Sequence, residues 1–589
     1  MKKTYLFAAL AAAAFNLVSC DIDDVENYGE MSSENFPTSE EDGMAVLAGV
    51  YQNLNSCMAN PQNSLFLYNA LIASDDMLGG GGDNDKLMQA LDLLVNNGDD
   101  MLNDLYAKRY EGVSRANSLI AALPNTGLEE SVKNKLMGEA KFLRAFYYYD
   151  LASTFGNVPV RVQPGGEEIK QGEITDPWKQ ILMDLRDACD LLPAAKAKDN
   201  QAGRIDKYAA EAMLGRAWLF YAGMFCNGTS IADMTSTTYN PLTSCELPDG
   251  TTLTEADVTA YIDDCVNNSG YSLVPDFRNL WAYTNRCTVE DYEWTKGQGL
   301  KWVEDDGAIN PESMFAIKFN KFASWNTTIG YANGLALHFG VRGGQDIDKT
   351  FPFGAGWGAG PVAPNLVNDW KAAEPSDKRR DATIQDWSGV ETFTYGGYED
   401  YVQETGYYAK KFSPITAKND ATKSGYSVSF ENVMYPGNWS VAGVENFQLN
   451  NIHDLVIIRY ADVLLMQAEL KKQVTPGWRE ICKRAGTEAP ATYSLSALQN
   501  ERRWEFACEG LRWNDIRRWH IAAKALAAQQ NQPVFHRGKP EVNSPHNGGY
   551  EARYNATAGF QKMPASQIAI GTVVQNEGWT GSESEYGGW

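Results

Sequence analysis

The chain is 589 residues long with a formal net charge of −24, and 44% of its residues are hydrophobic against 21% charged. A surface this acidic repels phosphate backbones and anionic bilayers, so nucleic acid and anionic membranes are poor partners. The apolar content suffices for a large buried core, which sets the chain apart from disordered ones.

Lys2 and Lys3 precede "YLFAALAAAAFNLV" (Tyr5–Val18), which is too short for a typical spanning helix and reads as an export signal over 1–19. The segment closes on "LVSC", with small Ser19 before Cys20, and resembles the lipobox of bacterial lipoproteins, in which the cysteine is acylated. The acidic "CDIDDVE" that follows resembles the signal carrying lipoproteins of the Bacteroidetes phylum to the outer face of the outer membrane. The expected location is therefore the cell outer membrane, lipid-anchored through Cys20 and surface-exposed. No other run approaches the roughly 20 apolar residues a spanning helix needs. Eight further cysteines include no CxxC pair, and the five histidines form no HExxH. Buried free thiols are expected, and neither a metal nor a cofactor.

From about Asn35 to Ala222 apolar residues recur at three- and four-residue steps, as in "EEDGMAVLAGVYQNLNSC", "LYAKRYEGVSRANSLIAAL" and "KYAAEAMLGRAWLFYAGMF". Successive amphipathic helices at this spacing suggest tetratricopeptide-like stacking, with Ala140, Ala145, Ala209, Ala212 and Ala217 where close helix packing needs small side chains. Between about Cys226 and Asn451 the texture turns to Gly, Asn, Asp, Thr and aromatics, and eight of the sixteen tryptophans fall between Trp281 and Trp439. Helical periodicity returns in "HDLVIIRYADVLLMQAEL" and in "ALQNERRWEFACEGLRWNDIRRWHIAAKAL". In the latter, Glu501, Arg502, Glu505 and Glu509 offer ion pairs at helical spacing, and Gly510 permits a break between two helices. Arginine forks there can hold Asp462 or Asp515, which reads as a tie between helices rather than a catalytic pair.

"ERRWEFACEGLRWNDIRRW" is similar to a signature of the RagB/SusD family of nutrient-binding outer-membrane lipoproteins. "IIRYADVLLMQAEL", "LRAFYYYDLASTFGNVPV" and "MPASQIAIGTVVQNEGW" resemble other motifs of that family in the same order, with Met563-Pro564 standing where isoleucine-proline is usual. The resemblance implies a mainly α fold, a SusD-like α/α superhelix of tetratricopeptide-like helical repeats carrying a large loop-rich, aromatic-rich insertion. It implies a helical-repeat region over 20–225 and a C-terminal RagB/SusD region over 226–589. Within the latter, the ligand-binding segment would span about 270–450 and the scaffold helices about 452–530. It also implies a glycan ligand (polysaccharide or oligosaccharide), no catalysis, and a SusC-like TonB-dependent outer membrane transporter as partner. Two other readings stand beside it: a secreted all-α glycoside hydrolase or lyase, whose carboxylate pair nothing in the sequence singles out, and a peptide-binding surface lipoprotein of the same family.

Sugar binding calls for flat aromatic faces and for carboxylates or amides that take hydroxyls. "SDDMLGGGGDNDK" sets Asp75, Asp76, Asp83, Asn84 and Asp85 around four glycines just after a helix. It lacks the ending of a phosphate-binding loop and the ligand spacing of a calcium-binding EF-hand, and a solvated turn or helix cap is an equal alternative. A second candidate set is Trp281, Tyr283, Trp294, Trp302, Trp325, Tyr331 and Trp357, of which two or three are expected to touch ligand because most tryptophans are partly core. A third is Arg379 and Arg380 with Tyr407 and Tyr408, where packing between loop region and scaffold is the favoured alternative.

Overall fold

The computed structural model describes residues 36–589 apart from 166–169, 196–202, 306–307, 320–331, 343–349, 391–392, 396–399, 419–425, 428–450, 452 and 580–585. The signal segment, Cys20, Trp325 and Tyr331 lie outside the described residues.

The first long helix, α1 (Glu40–Ser56), starts at a capping box in which the Ser39 hydroxyl accepts from the Asp42 amide and the Asp42 carboxylate accepts from the Ser39 amide. It buries Leu47, Val50 and Leu54 along one face. There follow α2 (Phe66–Ile72), α3 (Lys86–Leu93), α4 (Asn103–Ala122), α5 (Glu130–Phe155), α6 (Asp176–Leu191), α7 (Lys207–Met224) and α8 (Glu255–Asn268). From α4 onward each packs against the next in sequence order, as a helical repeat requires. The five alanines expected at close contacts are all fully buried. Gly215 of α7 lets α8 approach, since a Cβ there would lie 2.6 Å from Ile262 Cδ1.

Buried arginine–aspartate pairs stitch the stack: Arg109 with Asp150 between α4 and α5 at 2.7 Å, and Arg144 with Asp184 between α5 and α6 at 2.6 Å. Both acids are buried, so each guanidinium offsets a charge that would otherwise be costly.

The region after α8 is built of turns, short helices and two-stranded pairs. Its described parts include β1 (Ser313–Ile317), α9 (Pro364–Ala373), β2 (Ile384–Asp386) and β3 (Tyr407–Ala409). The segment "HDLVIIRYADVLLMQAEL" departs from the expected single helix. Leu455–Arg459 is a strand, β4, paired antiparallel with β1, and only Tyr460–Lys471 is helical, as α10. β-Branched Val456, Ile457 and Ile458 favour the pleated conformation once a partner strand is present.

Three more scaffold helices follow, α11 (Pro476–Ala485), α12 (Leu495–Glu505) and α13 (Arg512–Arg518). β5 (Pro533–His536) and β6 (Lys539–Val542) form a hairpin, and α14 (Tyr550–Thr557) comes near the end. The arginine-rich stretch joining α12 to α13 is a buried ion-pair knot. Arg502 bonds Asp462 at 2.7 Å and Asp515 at 2.8 Å, and Glu505 accepts from Arg459, Arg484 and Arg379. Arg518 and the Trp519 indole both donate to Glu469. Gly510 turns the chain at φ +80°, and a Cβ there would strike Leu67 Cδ1 at 2.3 Å. All eight described cysteines are free, six of them buried.

Candidate functional site

The loop between α2 and α3 splits in two. Asp75 and Asp76 turn inward and are 2% and 1% exposed. Asp75 accepts from Arg512 Nε at 2.7 Å and Nη2 at 2.9 Å, and Asp76 accepts from Arg503 Nε at 2.9 Å. Burial raises the Asp75 pKa, but Arg512 and Arg503 outweigh it and hold the carboxyl at about 2. These two acids belong to the ion-pair knot and present no open face to a ligand, which corrects the expectation that places them in a sugar-contacting loop.

The second half of the loop faces outward but is pinned. Gly80 and Gly81 take φ of +69° and +71°, and the Gly80 amide donates to Gln403 Oε1 at 3.0 Å. Gln89 Nε2 donates to the carbonyls of Gly80 and Gly82 at 3.0 and 2.9 Å, and the Gly81 amide donates to Gly358 O at 3.0 Å. Gly80 also bridges antiparallel to Ala359, so the loop lies edge to edge with the strand-like segment carrying Trp357. A Cβ on Gly82 would sit 2.1 Å from Asp400 Oδ2 and 2.2 Å from Arg342 Nη2, so only glycine admits these side chains.

Arg342 is the hub. Its Nη1 donates to Asp85 Oδ2 at 3.0 Å and to the Trp357 carbonyl at 2.9 Å, while Nη2 donates to both oxygens of Asp400 at 2.9 Å. Asp83 at the exposed tip pairs with Arg537 at 2.7 Å, and Asn84 beside it is exposed. Trp357 is half-buried, its ring centroid 4.3 Å from that of His338. Burial pushes His338 down to about 3, so a neutral imidazole backs the indole at neutral pH.

Beneath lies a polar floor. Gln403 Nε2 donates to Asp92 Oδ2 at 2.7 Å, its backbone amide donates to His536 Nδ1 at 3.0 Å, and the Tyr550 hydroxyl bonds Asp92 at 3.1 Å. Burial pushes Asp92 up to about 7 against the hydrogen bonds it accepts.

The other aromatic candidates separate by burial. Tyr283, Trp302 and Tyr408 are 0%, 2% and 1% exposed; the Tyr283 hydroxyl donates to Ala382 O at 2.8 Å and that of Tyr408 to Tyr401 Oη at 3.1 Å. Arg379 is fully buried, held by Asp377, Glu501 and Glu505. These four are core and scaffold members in this structure, as large rings and paired charges commonly are, rather than open contact residues. Trp281, Trp294 and Tyr407 are half-buried, with Lys411 Nζ 4.8 Å from the Trp281 ring and Lys410 Nζ 3.8 Å from that of Trp294. Arg380 reaches Asp381 and the Pro375 carbonyl, both at 3.3 Å.

Sequence reasoning missed Arg342 and Asp400, which join the outer loop to Trp357, and Arg537, which pairs with Asp83 at the loop's tip. Behind Trp281 lies a cavity of about 40 Å³ lined by Glu304 and Asp454 among others. Burial and the neighbouring Asp454 push Glu304 up to about 8, yet the space is too small for a sugar ring. Among the described residues no group of three His, Cys, Asp or Glu side chains could hold a metal ion, and no helix is long and apolar enough to cross a membrane.

A helical-repeat scaffold locked by arginine–carboxylate pairs, with a half-exposed indole beside acidic loop tips, defines the class of protein. Residues 24–219 match a family described as starch-binding associating with outer membrane, and residues 311–579 match the SusD family. A SusD-like protein of Bacteroides ovatus is 24% identical over 563 residues, which span 90% of this chain and 85% of that one. A laminarin binding SusD-like protein shares the fold with a TM-score of 0.65 at 23% identity, over 92% of this chain and 99% of its own. Surface glycan-binding protein A from Bacteroides thetaiotaomicron, solved in complex with laminarihexaose, gives 0.61 at 20% identity, over 92% and 100%. The chain belongs to the SusD/RagB family.

Proposed function

We propose that this protein captures a polysaccharide or oligosaccharide at the cell surface on the face formed by Trp357 and the outer half of the glycine loop, without turning it over. The observation that carries the reading is the convergence of Asp85, Asp400 and the Trp357 backbone on Arg342. That convergence fixes a half-exposed indole for the C–H face of a sugar ring beside carboxylate and amide groups suited to its hydroxyls. Related proteins that bind laminarin or laminarihexaose share the fold and support the ligand class. Trp281, Trp294 and Tyr407 are the further half-buried aromatic candidates. The captured glycan would pass to a SusC-like TonB-dependent transporter, with the protein held to the outer membrane by lipid on Cys20.

The test is a polysaccharide panel against the soluble form beginning after Cys20, read by calorimetry and by reducing-end assay. Binding in the micromolar to millimolar range is expected, since a shallow stacking site leaves little net gain. Trp357→Ala is expected to lose about 1–3 kcal/mol of binding with the fold intact. Catalytic release of oligosaccharide, or a Trp357→Ala protein that binds like the parent, would overturn the reading. Membrane fractionation of Cys20→Ala tests the anchor: the variant should fold and leave the membrane fraction.

A further inference from the structure

A second groove, of about 280 Å³, runs along α4 between residues 161–165 and the segment 567–572. In a chain with 75 acidic residues, none of the described residues lining it is acidic, and one is Arg161. Arginines on the adjoining helices are spent on carboxylates, Arg109 on Asp150 and Arg144 on Asp184. Arg161 differs. Its backbone is fixed by Tyr148, whose hydroxyl accepts from the Arg161 amide at 2.6 Å and donates to its carbonyl at 2.8 Å. Its guanidinium, half-buried at the groove wall, makes no hydrogen bond or ion pair with any described residue.

Beside it stand Tyr106 and Tyr110, ring centroids 4.7 Å apart, with the Tyr110 hydroxyl anchored on Pro159 O at 2.6 Å. Ser114, Gln163 and Thr572 complete the polar wall, and Ile570 is 64% exposed at its edge.

We propose that this groove is a second ligand site, for a uronate unit: a sugar ring bearing a carboxylate. The planar guanidinium takes the carboxylate through two parallel hydrogen bonds, half-buried Tyr110, backed by buried Tyr106, meets the ring, and Ser114, Gln163 and Thr572 take hydroxyls. A peptide carboxylate would use Arg161 alone and leave those polar side chains idle. The volume sits at the small end of the roughly 300–1,000 Å³ of ligand pockets, which suits a single unit rather than a long chain. The site rests on the glycan reading for its ligand class but shares none of the Trp357 residues.

The experiment uses the mature chain with methyl β-D-glucuronide, methyl β-D-glucoside and N-acetyl-dialanine as probes, read by ligand-observed NMR and calorimetry. The glucuronide should bind at least about tenfold tighter than the glucoside, the discrimination a charge-assisted pair supplies. Arg161→Gln should abolish that difference at unchanged melting temperature, because the side chain pairs with no described residue, and Trp357→Ala should leave it intact. Absent glucuronide binding, equal binding of glucoside, undiminished binding by Arg161→Gln, or displacement of glucuronide by N-acetyl-dialanine would each overturn the proposal. Those results leave the Trp357 reading standing, since that rests on the polysaccharide panel and on Trp357→Ala.

Discussion

Asp75 and Asp85 sit ten positions apart in one loop and do opposite work. Asp75 is locked between Arg503 and Arg512, so Asp75→Ala leaves two buried guanidinium groups short of a counter-charge. That should cost about 3–5 kcal/mol, seen as a lower melting temperature. Asp85→Ala instead removes the tie from the loop to Arg342, which keeps Asp400 and the Trp357 carbonyl, and should weaken glycan affinity with little change in melting. If Asp85→Ala melted early while Asp75→Ala bound weakly but melted normally, the division between scaffold and site would be reversed. The sign of the pH effect follows from the lowered Asp75 pKa. Its stabilisation is fully present above the unfolded value near 4 and is lost as pH falls toward about 2. The loop itself was legible from its glycines. Which of its acids turn inward was not, because their partners Arg503 and Arg512 lie 427 and 437 residues further along the chain.

At the level of elements, the glycine loop is held from below by Gln403, which rests on Asp92. Asp92 is pushed up to about 7 in the fold against about 4 unfolded, so it favours folding only while protonated. Stability is lost as pH rises from about 4 through 7. Asp92→Asn keeps an acceptor for Gln403 and should remove that loss, raising the melting temperature at pH 8 and leaving it nearly unchanged at pH 5; equal shifts at both pH values would contradict this assignment. Gly82→Ala is a sharper test of the loop, because its Cβ would overlap Arg342 and Asp400. It should weaken binding through the displaced hub. The strand Leu455–Arg459 shows the limit of periodicity: its apolar run fits helix or strand, and only the partner Ser313–Ile317 decides between them.

For the molecule as a whole, amphipathic spacing and the arginine motif made the helical scaffold legible, since both encode contacts that recur locally or at fixed helical offsets. The proposed ligand face was legible only in part. Trp357 and Asp85 were named from composition, while Arg342 and Asp400, which join them, sit in stretches with no signal of their own. Tyr283, Trp302 and Tyr408 carry the same residue types as a sugar platform yet fill the core, because burial is decided by tertiary packing. The eight described cysteines are free, so reductant should leave the melting curve of the mature protein unmoved, and a drop of several degrees would reveal a bridge.

The pairing of Arg512 with Asp75 also dictates an order of events. A growing chain can close this contact only once it has passed Arg512, 437 residues beyond Asp75, and Asp75 leads directly into the loop that carries Asp85. A chain cut short before the α12–α13 pair would keep much of its helical stack and all of Trp357, yet leave Asp75 and Asp76 without the arginines that pair with them. The proposed ligand face is thereby coupled to completion of the polypeptide: fragments should be recognisable by helical content without binding, a built-in proofreading of full-length product.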